Sequence, residues 1–444
     1  MDSGLLRNEV DALLDDRPAD KVFRVDRSIY TDPNLFELEM ERIFESAWQF
    51  LCHESQVEKP GDYFWNHIGR QPVMVWRQND GALKGFINAC RHRAAILTPF
   101  KQANAKTLTC RFHGWTYGND GRCLKMRNEE SGFAPGKLDR TPFGLQPLAR
   151  LESYRGFVFG SLNADVPALP EFLGAAARFV DFIADQSAAG MQVLPGSQTY
   201  IIHGNWKLQA ENATDGYHTG TVHRVFANTM KTREDRDGLT GMMRTEAGRI
   251  TGDARNGCYD FGGGHMAIWA DRAPPETSPL WEAKERLERA HPPGKVKWLL
   301  MRGRNLVIFP NLMINDFAAT QIRTFRPLAV DRTEVTIYCI APKDESKAAR
   351  YARLRKFEDF FMVTGMATSD DVVALEDSQA GNHSRMAPWC EFHRGMHSVV
   401  RGPDEDAKLG DFAPETSNTT WDQETVYHSF YRTWRHMLSR KARV

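Results

Sequence analysis

The spacing of apolar positions along this chain changes character twice. Between Pro33 and Phe50, residues Leu35, Leu38, Phe44 and Trp48 fall near helical spacing behind a proline that suits a first turn, which predicts a short amphipathic helix. From Gly61 to about Leu162 the apolar runs become short, as in Val73-Met74-Val75-Trp76, Leu83 to Ile87 and Thr116-Tyr117. Asn79-Asp80-Gly81 and Asn119-Asp120-Gly121 cut them, a pattern of strands joined by tight turns. Beyond Pro167 and Pro170 the periods mix. Glu171 to Gln186 reads as helix, and Gln198 to His203, Val307 to Phe309, Thr320 to Arg326 and Thr333 to Ile340 read as antiparallel strands. Leu354, Phe357 and Phe361 then recur among charges, predicting a long helix over 344–364 that starts near Asp344 or Ser346 and ends before Gly365. Asp253 to Pro293, with Gly262-Gly263-Gly264 and several prolines, reads as a loop-like connection.

These shifts divide the 444 residues into an N-terminal helical segment (1–45), an all-β domain (46–163) and an α+β domain (164–444). Lys plus Arg and Asp plus Glu both number 57, so no net field draws nucleic acid or an anionic membrane. The glycine triplet lacks a preceding strand and a following Lys-Ser/Thr, which argues against a phosphate loop. Met1 to Asp26 is charged, with no apolar signal core, and no apolar run reaches the roughly eighteen residues of a membrane span; the expectation is a soluble, cytoplasmic protein. Cys52, Cys123, Cys258, Cys339 and Cys390 form no disulfide framework and read as packing residues.

The other two cysteines carry chemistry. Cys90-Arg91-His92 and, after seventeen residues, Cys110-Arg111-Phe112-His113 pair one thiolate with one imidazole on each of two loops. A Rieske two-iron, two-sulfur centre needs two Cys on one iron and two His on the other, whereas a zinc finger usually keeps its Cys together and its His together. Gly114-Trp115 adds a tight turn and an apolar shield. A second cluster, Glu211 through His223, holds Asp215, His218 and His223. Two His and one carboxylate with open positions opposite are the usual holder of O2-activating iron(II). His218 and His223 stand five apart, about 140° around an ideal helix, so they converge only if the helix ends or bulges near Gly220. Asp370-Asp371, just beyond Gly365, can bring the carboxylate.

From about residue 22 to 435 the chain resembles the large subunits of Rieske non-haem iron aromatic-ring hydroxylating oxygenases. Ile68-Gly69-Arg70-Gln71-Pro72-Val73, Asp215-Gly216-Tyr217-His218, Thr333 to Pro342 and Glu358-Asp359-Phe360-Phe361 look most like the benzoate, toluate and anthranilate dioxygenase branch. The resemblance implies an all-β Rieske domain followed by a catalytic antiparallel sheet with helices of the helix-grip, START-like kind. It implies Cys90, His92, Cys110 and His113 as [2Fe-2S] ligands and His218, His223 and Asp371 as iron(II) ligands. Asp215 would accept the distal N–H of His218 and reach His113 of a neighbouring large subunit. The reaction implied is cis-dihydroxylation of an aromatic carboxylate with O2 and with electrons from NADH, delivered by a separate flavin and ferredoxin-type reductase. A small β subunit in an α3β3 hexamer is the implied partner. A monooxygenase acting on a ring such as salicylate, or a dioxygenase of a non-carboxylate aromatic, are the alternatives. Asn212, Ala213, Thr219, Phe309, Asn315, Phe360 and Met366 are pocket candidates by position, and Arg302, Arg304, Arg323 or Arg326 the candidates to hold a substrate carboxylate. Departures are Ala94-Ala95 where the branch usually has Gly-Ala, Arg111 in place of a Pro, and Thr219-Gly220 and Arg224-Val225 beside the iron motif.

Overall fold

A computed structural model of the chain describes residues 7–134, 136–237, 254–272 and 275–439. Two compact units emerge, Met40–Leu169 and a second made of Met1–Glu39 with Pro170–Val444.

The Met40–Leu169 unit is built from three small antiparallel sheets. One orders Leu83–Ile87, Gln71–Arg77, Asp62–Ile68 and Gln102–Asn104; another orders Cys123–Lys125, Thr116–Gly118 and Thr107–Thr109. Their inner faces bury Tyr63, Met74, Trp76 and Tyr117. The third sheet contains Gln49–His53, whose five residues are all buried, so the helix expected through Phe50 is corrected: Pro33–Glu39 is helical, Met40–Phe44 is one wide turn, and the chain then extends. The tight turn at Asn79-Asp80-Gly81 is present, with Gly81 at φ +87°.

The larger unit centres on a ten-stranded antiparallel sheet. In chain order its strands are β1 (Met191–Val193), β2 (Gln198–Ile202), β3 (Asn256–Asp260), β4 (Met266–Asp271), β5 (Arg302–Ile308), β6 (Leu312–Asp316), β7 (Thr320–Ala329), β8 (Arg332–Pro342), β9 (Val400–Arg401) and β10 (Thr416–Asn418). In space they run β1-β8-β7-β6-β5-β4-β3-β10-β9, with β2 also on β8. The helices used below are α1 (Ala177–Ala184), α2 (Trp206–Asn212), α3 (Thr219–Val222), α4 (Arg224–Asp237), α5 (Lys347–Lys356), α6 (Thr368–Gly381) and α7 (His428–Leu438). The α+β expectation holds. Two local readings do not. The stretch read as a connection from 253 to 293 contains the β3–β4 hairpin, paired from Asn256↔Ala270 to Asp260↔Met266, and a helix at Lys284–Ala290; Asp253, Ala273 and Pro274 lie outside the described residues. Its three glycines are the turn, at φ +76°, +59° and +81°. The helix read over 344–364 is capped by Ser346, ends at Lys356 and is followed by one wide turn, Phe357–Phe361.

Before Met40 the chain is not helical alone, since Leu14–Arg17 and Val22–Asp26 form a hairpin extended by Trp389–Glu391. Glu39 ties this segment to α2 and α7: its carboxylate accepts from Lys207 Nζ (2.5 Å), Trp206 Nε1 (2.8 Å) and Trp434 Nε1 (2.6 Å), all buried. Removing one partner of such a buried pair typically costs about 3–5 kcal/mol, because the other charge stays desolvated.

Candidate metal centres

In the smaller unit, the first thiol–imidazole loop follows strand Leu83–Ile87, and the second is the tip of the Thr107–Thr109/Thr116–Gly118 hairpin. Only the second therefore projects from a hairpin. Their backbones nonetheless repeat each other. Cys90 O accepts from Ala94 N–H (2.9 Å) and Cys90 N–H donates to Ala95 O (2.9 Å), while Cys110 O accepts from Gly114 N–H (2.9 Å) and Cys110 N–H donates to Trp115 O (2.7 Å). The closing residue has positive φ in both, Gly114 at +74° and Ala94 at +56°. This accounts for the glycine usual at the first position and for the strain of an alanine there.

These turns send the thiols inward and the imidazoles outward. Cys90 and Cys110 are 3% and 2% exposed, His92 is exposed and His113 half-buried. The two imidazole rings lie 4.6 Å apart, and Trp115 stacks on His92 with planes 7° apart. Tyr117, legible in the sequence only as a strand residue, accepts from Arg91 N–H (3.1 Å), and its hydroxyl lies 3.3 Å from Cys90 Sγ, where it can donate to a thiolate. Burial pushes the Cys90 thiol up from its ordinary pKa, a cost that ligation of a metal would offset. Among the described residues, only a different set gathers three donor atoms within 4.8 Å of one another, so these four side chains are not drawn together as a single tetrahedral ion would require. A thiol pair inside and an imidazole pair outside fits two irons bridged by sulfide.

In the larger unit the gathered set is His218, His223 and Asp371. A helix break is present but falls at His223 and not at Gly220, which lies inside α3: that helix runs only from Thr219 to Val222, with His218 before it and His223 in the turn before α4. The two Nε2 atoms thereby come to 3.2 Å, and Asp371 Oδ1, in the first turn of α6, lies 3.4 Å from each. Asp370 is not in the set. Asn212 Nδ2 donates to Asp371 Oδ1 (3.3 Å), and Asp215 Oδ2 stands 3.1 Å from His218 Nδ1. Burial disfavours a charged imidazole, but Asp215 and Asp371 outweigh it and raise His218 to about 10; burial lowers His223. Despite burial, His218 and His223 hold Asp371 below the usual carboxylate range. Two carboxylates facing two imidazoles call for positive charge at their centre, and the N, N, O donor set suits iron(II).

A cavity of about 690 Å³, open mouth included, adjoins this set. Its floor is one face of the sheet: Ile268, Asn305 and Asn315 in one cross-strand row, Met313 and Arg323 in the next. Phe317, Phe360, Phe361 and Trp421 form walls. Of the expected pocket residues, Asn212, Thr219, Asn315 and Phe360 line it. Ala213 does not; it is fully buried behind the wall, where its carbonyl accepts from Asn305 Nδ2 (3.0 Å). Phe309 packs instead against Trp206 and Phe430, and Met366 against the Phe226–Ala367 cluster. Trp421 and Asn305 escaped the sequence reading. Gly216 was the available signal for the former, since a Cβ there would collide with the Trp421 side chain and carbonyl.

The chain matches the Rieske [2Fe-2S] domain over residues 47–152 and the ring hydroxylating alpha subunit (catalytic domain) over residues 192–440. It is 41% identical to toluate 1,2-dioxygenase subunit alpha of Pseudomonas putida, covering 97% of this chain and 94% of that one. It is 40% identical to the 2-halobenzoate 1,2-dioxygenase large subunit of Burkholderia cepacia, covering 95% and 91%. The crystal structure of naphthalene 1,2-dioxygenase from Rhodococcus sp. bound to indole superposes with a TM-score of 0.85 at 25% identity, covering 98% and 99%.

Proposed function

Because the chain belongs to the ring hydroxylating alpha-subunit family and carries a Rieske domain in the same polypeptide, we propose that it is the oxygenase component that cis-dihydroxylates an aromatic carboxylate. The observation that supports this most is the presence in one chain of two distinct donor sets, together with near full-length likeness to relatives named for toluate and 2-halobenzoate. In this reading residues 46–163 carry Cys90, His92, Cys110 and His113 as cluster ligands, and residues 164–444 carry His218, His223 and Asp371 as iron(II) ligands. When bound, the cluster supplies electrons one at a time and the iron supplies the open positions at which O2 is activated.

The chain's own side chains do the rest. Asp215 holds His218 in one tautomer, and Asn212 orients Asp371. Phe360 and Phe361 keep water from the ring, and Thr219 borders it. With no flavin or nicotinamide fingerprint in the chain, electrons come from NADH through a separate flavin and ferredoxin-type reductase. A small β subunit completes an α3β3 hexamer in which Asp215 meets His113 of the neighbouring large subunit. No described helix is long and apolar enough to cross a membrane, and a reducing cytoplasm suits thiolate ligands.

The test supplies the oxygenase with reductase, NADH, 18O2 and a panel of aromatic acids and neutral arenes. Carboxylates should stimulate O2 uptake and yield cis-diols carrying two 18O atoms. A phenol with one 18O would assign monooxygenation, and uptake stimulated only by neutral arenes would overturn the carboxylate.

A further inference from the structure

Four arginines on the large sheet were candidates for an anionic substrate, and the structure separates them. Arg302 lies between Trp269 and Trp298 (4.0 and 4.3 Å to the ring centroids) and pairs with Asp271 and Asp406. Arg304 is held by Asp316 and the Trp298 carbonyl. Arg326 makes two parallel bonds to Glu334, at 3.0 and 3.2 Å. Arg323 differs from all three. It is 4% exposed and lines the cavity beside the His218–His223–Asp371 set, yet it makes no hydrogen bond or ion pair with a described residue, and its Nε is buried without a partner.

A buried guanidinium normally has an anion beside it, since taking its charge out of water is costly and mutual attraction is what offsets that. The charge of Asp371 reaches Arg323 through space, but the Asp371 Oδ1 faces both imidazoles and Asn212. A divalent ion in the set would be matched by Asp371 and Asp215, the two carboxylates of the cavity wall. Arg323 is then the one positive charge among the lining residues left without an anion. On the floor of the cavity it sits directly across from Met313, with Phe317, Phe360 and Phe361 supplying apolar surface. That is a cationic fork in an aromatic-walled chamber, the complement of a flat ring bearing one carboxylate.

Resting on the reaction proposed above, we propose that Arg323 is the specificity-determining residue of this cavity, receiving the substrate carboxylate in a paired hydrogen bond and so aligning the ring beside the metal site. Neighbouring Asn305 and Asn315 are neutral, so the recognition of charge falls to Arg323.

The experiment measures binding of benzoate, its 2-amino and 2-hydroxy derivatives and neutral benzamide to the holoenzyme and to its R323Q and R323K variants by calorimetry, with KM, kcat, iron content, cluster spectrum and unfolding temperature recorded in parallel. Wild type should bind carboxylates far more tightly than benzamide. R323Q should lose roughly 100-fold in affinity for carboxylates, since a buried charge pair is broken, and little for benzamide. R323K should regain part of that loss. Because Arg323 loses no protein partner, the unfolding temperature of R323Q should not fall, whereas its rise on adding benzoate should vanish. Unchanged carboxylate affinity in R323Q, or an equal loss for benzamide with a lowered unfolding temperature, would overturn the assignment while leaving the proposed reaction standing. Failure of wild type itself to bind or turn over any of the carboxylates would remove the substrate reading and this inference with it.

Discussion

Asp215 divides its carboxylate between the backbone and the ring of one neighbour: Oδ1 accepts from the N–H of His218 (3.3 Å), and Oδ2 lies 3.1 Å from that residue's Nδ1. Oδ1 also accepts from Tyr217 N–H at 2.6 Å, so Asp215 caps the turn and positions the imidazole together. A lost cap costs about 0.5–2 kcal/mol of stability, whereas lost support of a metal-binding His typically costs 10–100-fold in affinity or rate. Asp215→Asn keeps an acceptor for the cap but removes the charge. Fold, cluster spectrum and most iron should persist while turnover drops about 10-fold or more. Rapid mixing of the reduced variant with O2 and substrate should show slowed cluster oxidation, and normal oxidation with normal product would remove the role.

The two adjacent aspartates of α6 should behave differently. Asp371 Oδ1 faces both imidazoles, and Asp370 does not join the set. Asp371→Ala is expected to lose mononuclear iron and product while retaining the Rieske spectrum; Asp370→Ala should keep iron and measurable activity. Metal analysis of the two variants checks this, and the reverse pattern would move the ligand by one residue.

Ala94 holds φ +56° in the loop position where its counterpart is Gly114. An L-residue there costs about 1–2 kcal/mol, of which glycine returns part as unfolded-state entropy. Ala94→Gly should therefore stabilise the cluster-bearing unit by about 1 kcal/mol, roughly 3–5 °C in its unfolding midpoint, without changing the cluster spectrum. An unchanged or lowered midpoint in calorimetry would show that the loop relaxes around Ala94.

Glu211 is partly buried, accepting from Tyr30 (2.8 Å) and Tyr431, and desolvation raises its pKa from 4.5 to about 7. Between those values the folded state holds a proton that the unfolded state has released. Stability should therefore fall as pH rises from about 4.5 to 7 and level off above, with a contribution up to about 3 kcal/mol. Glu211→Gln, which stays neutral, should flatten that part of the profile. A slope identical to wild type in unfolding measurements would assign the loss to other groups, of which Asp260, raised by burial to about 6, is the first to examine.

Much of the architecture was legible because it depends on local periodicity. Short apolar runs with Asn-Asp-Gly turns marked the β-rich unit, and the long strands Thr320–Ala329 and Arg332–Pro342 showed themselves by alternation and length. Where the reading failed, neighbours distant in sequence had decided. The β3–β4 hairpin looked like a loop because the glycines of its turn and the prolines beyond it outweighed two strands of five and six residues, whose pairing with β10 and β5 is visible only when those strands are in place. The helix read as far as Gln186 from Glu171 is interrupted at Gly174, where φ is +49°.

Donor types and their spacing belong to the chain itself: alternating Cys and His on two loops, and two His five apart that forced a break in their helix, which falls at His223. Which carboxylate completes the second set, which wall residues border it, and which of four arginines lacks an anion were decided by tertiary structure. The reason is geometric. Backbone torsions and turn residues act over a few positions and can be read in order, whereas the partner of a buried charge is chosen by strands and helices a hundred residues apart, and only packing brings them within hydrogen-bond reach.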